Sequence, residues 1–133
     1  MEESSTKGEL TEVTGNLDIV KMNEACRYFI GLHDFTSFCS VGSQVQSKIR
    51  EIYSISVEKN NRLITIRVTG NGFLYNMVRI IAGTLIKVGQ GQLEPAEIPK
   101  IIDGKNRELA GPTAPARGLA LVEINYEKTV DTN

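Results

Sequence analysis

The chain has 133 residues, of which 41% are hydrophobic and 23% charged, a mixture that excludes disordered, collagenous and low-complexity classes and allows one domain around one core. Its longest apolar stretch, Met77 to Ile86, is interrupted by Arg79 and Gly83 and falls short of the ~20 residues of a bilayer span; the opening Met1-Glu2-Glu3-Ser4-Ser5 lacks the basic and apolar regions of a secretory signal, so a cytoplasmic location is expected. Net charge is -1, yet residues 48–117 hold eleven Lys and Arg against six acids, a distribution open both to a polyanion-binding face and to an ordinary solvated surface.

Residues 1–16, with four acids and one Lys, show no sustained apolar period and read as a flexible leader or a cloning remnant outside the fold. Asn16 is placed to cap a helix in which Ile19, Met22, Cys26, Phe29 and Ile30 recur at three and four, with Gly31 to end it. Leu32 to Ser47 reads as an irregular connection. Tyr53, Ile55 and Val57 alternate with serines, Asn60-Asn61 offers a turn, and Ile64, Ile66 and Val68 alternate with polar residues: a β-hairpin with one buried face.

After Gly70-Asn71-Gly72, apolar residues at Leu74, Met77, Val78, Ile81, Leu85 and Val88 predict a second helix over 73–88, apolar nearly all round and so lying in the core, with Gly89 as its stop. Pro95 suits the first turn of a short third helix carrying Ile98, Ile101 and Ile102, within which Pro99 sits awkwardly. Arg107 to Arg117 is a loop, and Gly118 to Tyr126 is apolar enough for a central strand. This order predicts an α+β fold, an antiparallel sheet with helices packed on one face, close to a ferredoxin-like split βαβ unit that lacks a strand. The boundaries expected are a leader to residue 16, one domain over 17–127 and a tail over 128–133.

Few residues can carry chemistry. Two cysteines and one histidine supply neither a disulfide framework nor a zinc site, and both thiols are expected to be free. His33 beside Asp34 could suggest an acid/base pair, but neighbours in irregular chain need not face each other, and Asp34 is better read as accepting backbone hydrogen bonds in a turn. The Gly70-Asn71-Gly72 passage lacks the third small residue of a dinucleotide loop and the Lys-Ser or Lys-Thr pair of a triphosphate loop, so its glycines are expected to serve a positive φ between strand and helix. Arg79 stands among apolar neighbours and should meet an anion: either an internal carboxylate such as Asp34, or a catalytic carboxylate or phosphate outside the chain.

Gly31-x-His33-Asp34-Phe35-x-Ser37-Phe38, Gly72-Phe73-Leu74-Tyr75-Asn76-Met77-Val78-Arg79, Gly83-Thr84-Leu85 with Val88-Gly89-x-Gly91, and Thr113-Ala114-Pro115-Ala116-x-Gly118-Leu119-x-Leu121 occur in this order. Together they resemble the C-terminal half of TruA-type tRNA pseudouridine synthases, over roughly residues 17–126. The resemblance implies an enzyme that converts uridine to pseudouridine in the tRNA anticodon stem-loop, without cofactor or metal, as a homodimer with a positively charged RNA cleft. It also implies that Arg79 pairs with the catalytic aspartate, that Leu119 walls the uracil pocket, and that the aspartate's Arg-Thr-Asp motif lies in an N-terminal half absent here. None of Asp18, Asp34, Asp103 and Asp131 follows Arg-Thr, so this chain alone is expected to be inactive. Arg62, Arg67, Arg107 and Arg117 are candidates for phosphate contacts, and Phe73 and Tyr75 for core packing first and pocket lining second. The rival readings are a stand-alone RRM-like RNA-binding module, for which the hairpin offers only Tyr53 as an exposed aromatic, and a structural or regulatory module.

Overall fold

A computed structural model describes residues 6–14, 16–61, 63–114 and 120–127. Five strands, β1 (Thr6–Thr14), β2 (Gly31–Asp34), β3 (Ile49–Asn60), β4 (Leu63–Gly70) and β5 (Ala120–Glu127), and three helices, α1 (Ile19–Cys26), α2 (Met77–Gly89) and α3 (Ile98–Gly104), are joined partly by single 3-10 turns. The strands form one sheet in the order β2-β3-β4-β1-β5, every neighbouring pair antiparallel. The architecture is α+β, as the element order predicts.

The hairpin forms where alternation places it. Ile55 and Val57 on β3 pair with Val68 and Ile66 on β4 and are buried with them, while Ser56, Thr65, Arg67 and Thr69 are directed to the other face. On the buried face lie α1 and α2, with Met77, Ile80, Ile81, Leu85 and Val88 fully enclosed. Phe29, Phe35 and Phe38 close the β2 end, Phe29 meeting Phe38 edge-on at 5.2 Å between ring centroids. Each such ring contributes about 1.5–3 kcal/mol by leaving water.

Four sequence expectations change. Residues 6–14, read as part of a leader, form β1 between β4 and β5; its main-chain ladders to both neighbours provide what its polar sequence lacks in apolar surface. Gly31, read as a helix stop, and residues 32–34, read as irregular, form an edge strand that pairs with β3 from Ile52 back to Ile49. β5 pairs with β1 alone and is an edge strand rather than a central one. Asp18, not Asn16, caps α1, its carboxylate accepting from Lys21 N at 3.1 Å. Pro99 is harmless because α3 begins at Ile98, which puts the proline in the first turn, where no N–H is needed.

Candidate active site

Arg79 sits in the first turn of α2, behind Asn76, which enters the helix in the left-handed conformation (φ 61°). Its neighbours Met77, Val78, Ile80 and Ile81 are buried, but Arg79 itself is half-buried, less enclosed than its sequence context suggests. The side chain is held from two sides. Nε donates to Ala114 O at 2.8 Å, and Nη1 donates to Asn76 Oδ1 at 3.3 Å. Asn76 in turn donates from Nδ2 to Ser40 Oγ at 2.9 Å, and Ser40 N donates to Tyr75 O at 3.2 Å.

An internal carboxylate does not take up this guanidinium among the described residues, where the one ion pair joins Lys21 and Glu94 at 3.8 Å. Asp34 is engaged elsewhere. Its Oδ1 accepts from both the hydroxyl and the N–H of Thr36, the turn role expected of it. The Thr36 hydroxyl, then the Thr36 N–H and the positive charges of Lys105 and Lys48, hold the Asp34 carboxyl below its ordinary range against the opposing effect of burial. His33 lies within hydrogen-bond distance of Ile30 O, 2.9 Å from Nε2, and stands edge-on to Phe35. As successive residues of β2, His33 and Asp34 point to opposite faces and form no catalytic pair.

The chain segment 111–114 is clamped onto α2. Gly111 N donates to Thr84 Oγ1 at 2.9 Å, that hydroxyl donates to Ile80 O at 2.8 Å, and Ala114 N donates to Arg79 O at 3.0 Å. The approach is backbone on backbone: a Cβ at Gly83 would stand 1.8 Å from Pro112 O, and one at Gly111 would stand 2.8 Å from Thr84 Cα. Arg107 fastens the same segment from the outside, Nη1 to Gly111 O at 2.9 Å and Nη2 to Thr113 Oγ1 at 3.1 Å. The Gly83-Thr84 and Thr113-Ala114 motifs, distant in sequence, are the two sides of this contact.

Tyr75 is not core packing. It precedes α2 and is 70% exposed, two residues before the helix that was expected to start at Phe73. Leu119, Arg117 and Arg62 lie outside the described residues. Gly70 is required by space rather than by φ, since a Cβ there would meet Glu51 O at 2.5 Å; Asn71 then pairs with Glu51 through N to O (3.0 Å) and through Oδ1 from Glu51 N (2.9 Å). That arrangement continues the β3–β4 pairing by one residue. Cys26 and Cys39 are free and buried, and burial raises the Cys26 thiol to about 12. Among the described residues no group of three or more His, Cys, Asp or Glu could hold a metal, and no helix is long and apolar enough to cross a membrane.

Beside Ser40 an open pocket of about 320 Å³ is lined by Lys48, Lys105 and Arg107 together with Thr36 and Glu108. Of these cations only Arg107 is a phosphate-contact candidate from the sequence. Lys48 and Lys105 come from separate connecting segments, and no local pattern joins them.

The model of the tRNA pseudouridine synthase family matches residues 25–127, a span that includes Arg79, Tyr75, the clamped segment and the pocket. The tRNA pseudouridine synthase A of Bacillus pumilus is 54% identical over 111 residues, which cover 84% of this chain and 45% of that protein. The protein of the same name from Ruminiclostridium cellulolyticum is 56% identical over 115 residues (86% and 47%), and that from Brevibacillus brevis 52% over 110 residues (83% and 45%). The chain thus spans about half the length of the curated relatives it matches. With its match running through most of its length and through all four motif regions, the chain belongs to the tRNA pseudouridine synthase family.

Proposed function

We propose that this chain acts as the part of a tRNA pseudouridine synthase that supplies Arg79 to a catalytic aspartate carried by the rest of the enzyme, which isomerises uridine in the anticodon stem-loop. The carrying observation is the state of the guanidinium. Of its five N–H groups, one from Nε and one from Nη1 are used to fix its direction, leaving three without a partner among the described residues. A carboxylate placed there would be gripped by two parallel charge-assisted bonds, which keep it ionised and oriented for attack on the flipped nucleotide. Asn76 and Ala114 do the preorganising.

Tyr75, exposed next to Asn76, offers a ring on which an unstacked base can lie, and Leu119 would wall the uracil and keep water from the intermediate. Arg107 and Arg117 would support the RNA strand, Arg107 chiefly by holding residues 111–113. The reaction needs no cofactor or metal in this reading, and the whole enzyme works as a cytoplasmic homodimer.

The reading is tested by replacing the matching segment of the Bacillus pumilus relative with residues 25–127 of this chain. Isomerisation breaks the bond from ribose C1′ to uracil N1 and joins C1′ to C5 instead, the C5 hydrogen leaving as a proton while N1 gains one, so tRNA carrying [5-³H]uridine reports it as released tritium. The chimera is expected to release tritium and the isolated chain to release none. A chimera that melts like its parent but is silent, or turnover by the chain alone, would overturn the proposal.

A further inference from the structure

We infer that the pocket beside Ser40 is a seat for a backbone phosphate of the RNA strand whose uridine enters the Arg79 site. This rests on the proposed RNA-modifying role and adds to it a specific contact made by Lys48 and Lys105.

Three cations line the pocket against one carboxylate, Glu108, and Thr36 and Ser40 bring hydroxyls to it. Among the described residues neither lysine is in an ion pair; Asp34, bonded to Thr36 of the pocket wall, offsets part of their charge without pairing with either. Their field is felt locally, because both help to hold Asp34 ionised. Arg107 is pinned through Gly111 and Thr113 and so forms a fixed wall, whereas the lysines are free to close on an anion as point charges. Lys105 occupies a left-handed position (φ 49°) at the end of α3. A phosphodiester, acceptor-only and singly charged, suits this lining.

The pocket is also in register with the proposed chemistry. Ser40 is one of its walls, and the hydrogen bonds Asn76 Nδ2 to Ser40 Oγ and Arg79 Nη1 to Asn76 Oδ1 connect that wall to the guanidinium through one side chain. A strand held by its phosphate here would present a neighbouring nucleotide toward Arg79, and such a grip is what flipping a base out of its stack requires.

The test uses the chain itself and unmodified tRNA, with affinity read by fluorescence anisotropy between ~50 and ~200 mM salt. The double variant Lys48→Gln/Lys105→Asn removes both charges, asparagine being tolerant of the left-handed position. Lys48→Gln alone leaves that backbone untouched and guards against a folding artefact. The control is Lys59→Gln, at the far end of β3 and about 35 Å along the strand from Lys48. The double variant should lower the slope of log affinity against log salt by about 1 and weaken low-salt binding several-fold, with a smaller change in the same direction for Lys48→Gln and none for Lys59→Gln. If the unaltered chain binds but the double variant keeps its slope, or Lys59→Gln lowers it equally, the pocket assignment is overturned while the RNA-modifying role stands. Absence of binding by the unaltered chain at ~50 mM salt would likewise overturn the pocket assignment, the RNA-modifying role being decided by tritium release from the chimera.

Discussion

Arg79 and Ala114 are bonded to each other twice: the Arg79 carbonyl accepts from the Ala114 N–H at 3.0 Å, and Arg79 Nε donates to the Ala114 carbonyl at 2.8 Å. The pairing ties the direction of the guanidinium to the position of the segment that runs on toward Leu119. Helix, arginine and segment are therefore bonded into one unit, and changes at the helix–segment contact should reach the arginine without touching it.

Thr84 provides the first such change. Its buried hydroxyl accepts from Gly111 N–H and donates to Ile80 O, so Thr84→Val leaves an enclosed N–H with no acceptor. Urea denaturation should show a loss of about 1–3 kcal/mol, and Thr84→Ser, which keeps the oxygen, should lose less. Equal losses would mean that packing of the methyl group, not the hydrogen bond, holds the segment.

Gly83→Ala acts by volume. With the new Cβ 1.8 Å from Pro112 O, helix and segment must separate, and the expected cost is about 1–3 kcal/mol despite alanine's better helix propensity. Amide exchange at Ala114 should accelerate in the same variant. Stabilisation by Gly83→Ala would refute the close approach.

How much of this was legible in the sequence follows from how far each signal reaches. The β3–β4 hairpin and α2 announce themselves because alternation and the three-to-four spacing act within a few residues. β2 does not, since four residues of mixed polarity become a strand only by pairing with β3, and β1 likewise draws its regularity from β4 and β5. Arg79 was visible as a cation in an apolar context, but its geometry depends on Ala114, 35 residues away, and the pocket lysines meet only in the folded chain. Tyr75 was misplaced because the left-handed Asn76 delays the start of α2.

Asp34 gives a pH signature. Its carboxyl titrates lower in the folded chain than unfolded, first through the Thr36 hydroxyl, so the stabilisation it contributes is complete above its unfolded value near ~4 and is lost as pH falls through the folded value. Asp34→Asn, nearly isosteric with the protonated acid, should be less stable than the parent at pH 7, and the two denaturation curves should converge on acidification below ~4. A gap independent of pH would remove the carboxylate from the turn's energetics.

The most direct measurement compares Arg79→Ala and Arg79→Lys with the parent in the active chimera, reading tritium release and tRNA affinity on the same samples. Losing the guanidinium should lower turnover by roughly 10²–10³-fold, with little rescue by lysine, which lacks the planar fork. Affinity for tRNA should stay within several-fold, because one cation among many phosphate contacts is a small electrostatic loss. Turnover within several-fold of the parent in Arg79→Ala, or an equal fall in turnover and tRNA affinity, would contradict the assignment of Arg79 as the partner of the catalytic aspartate.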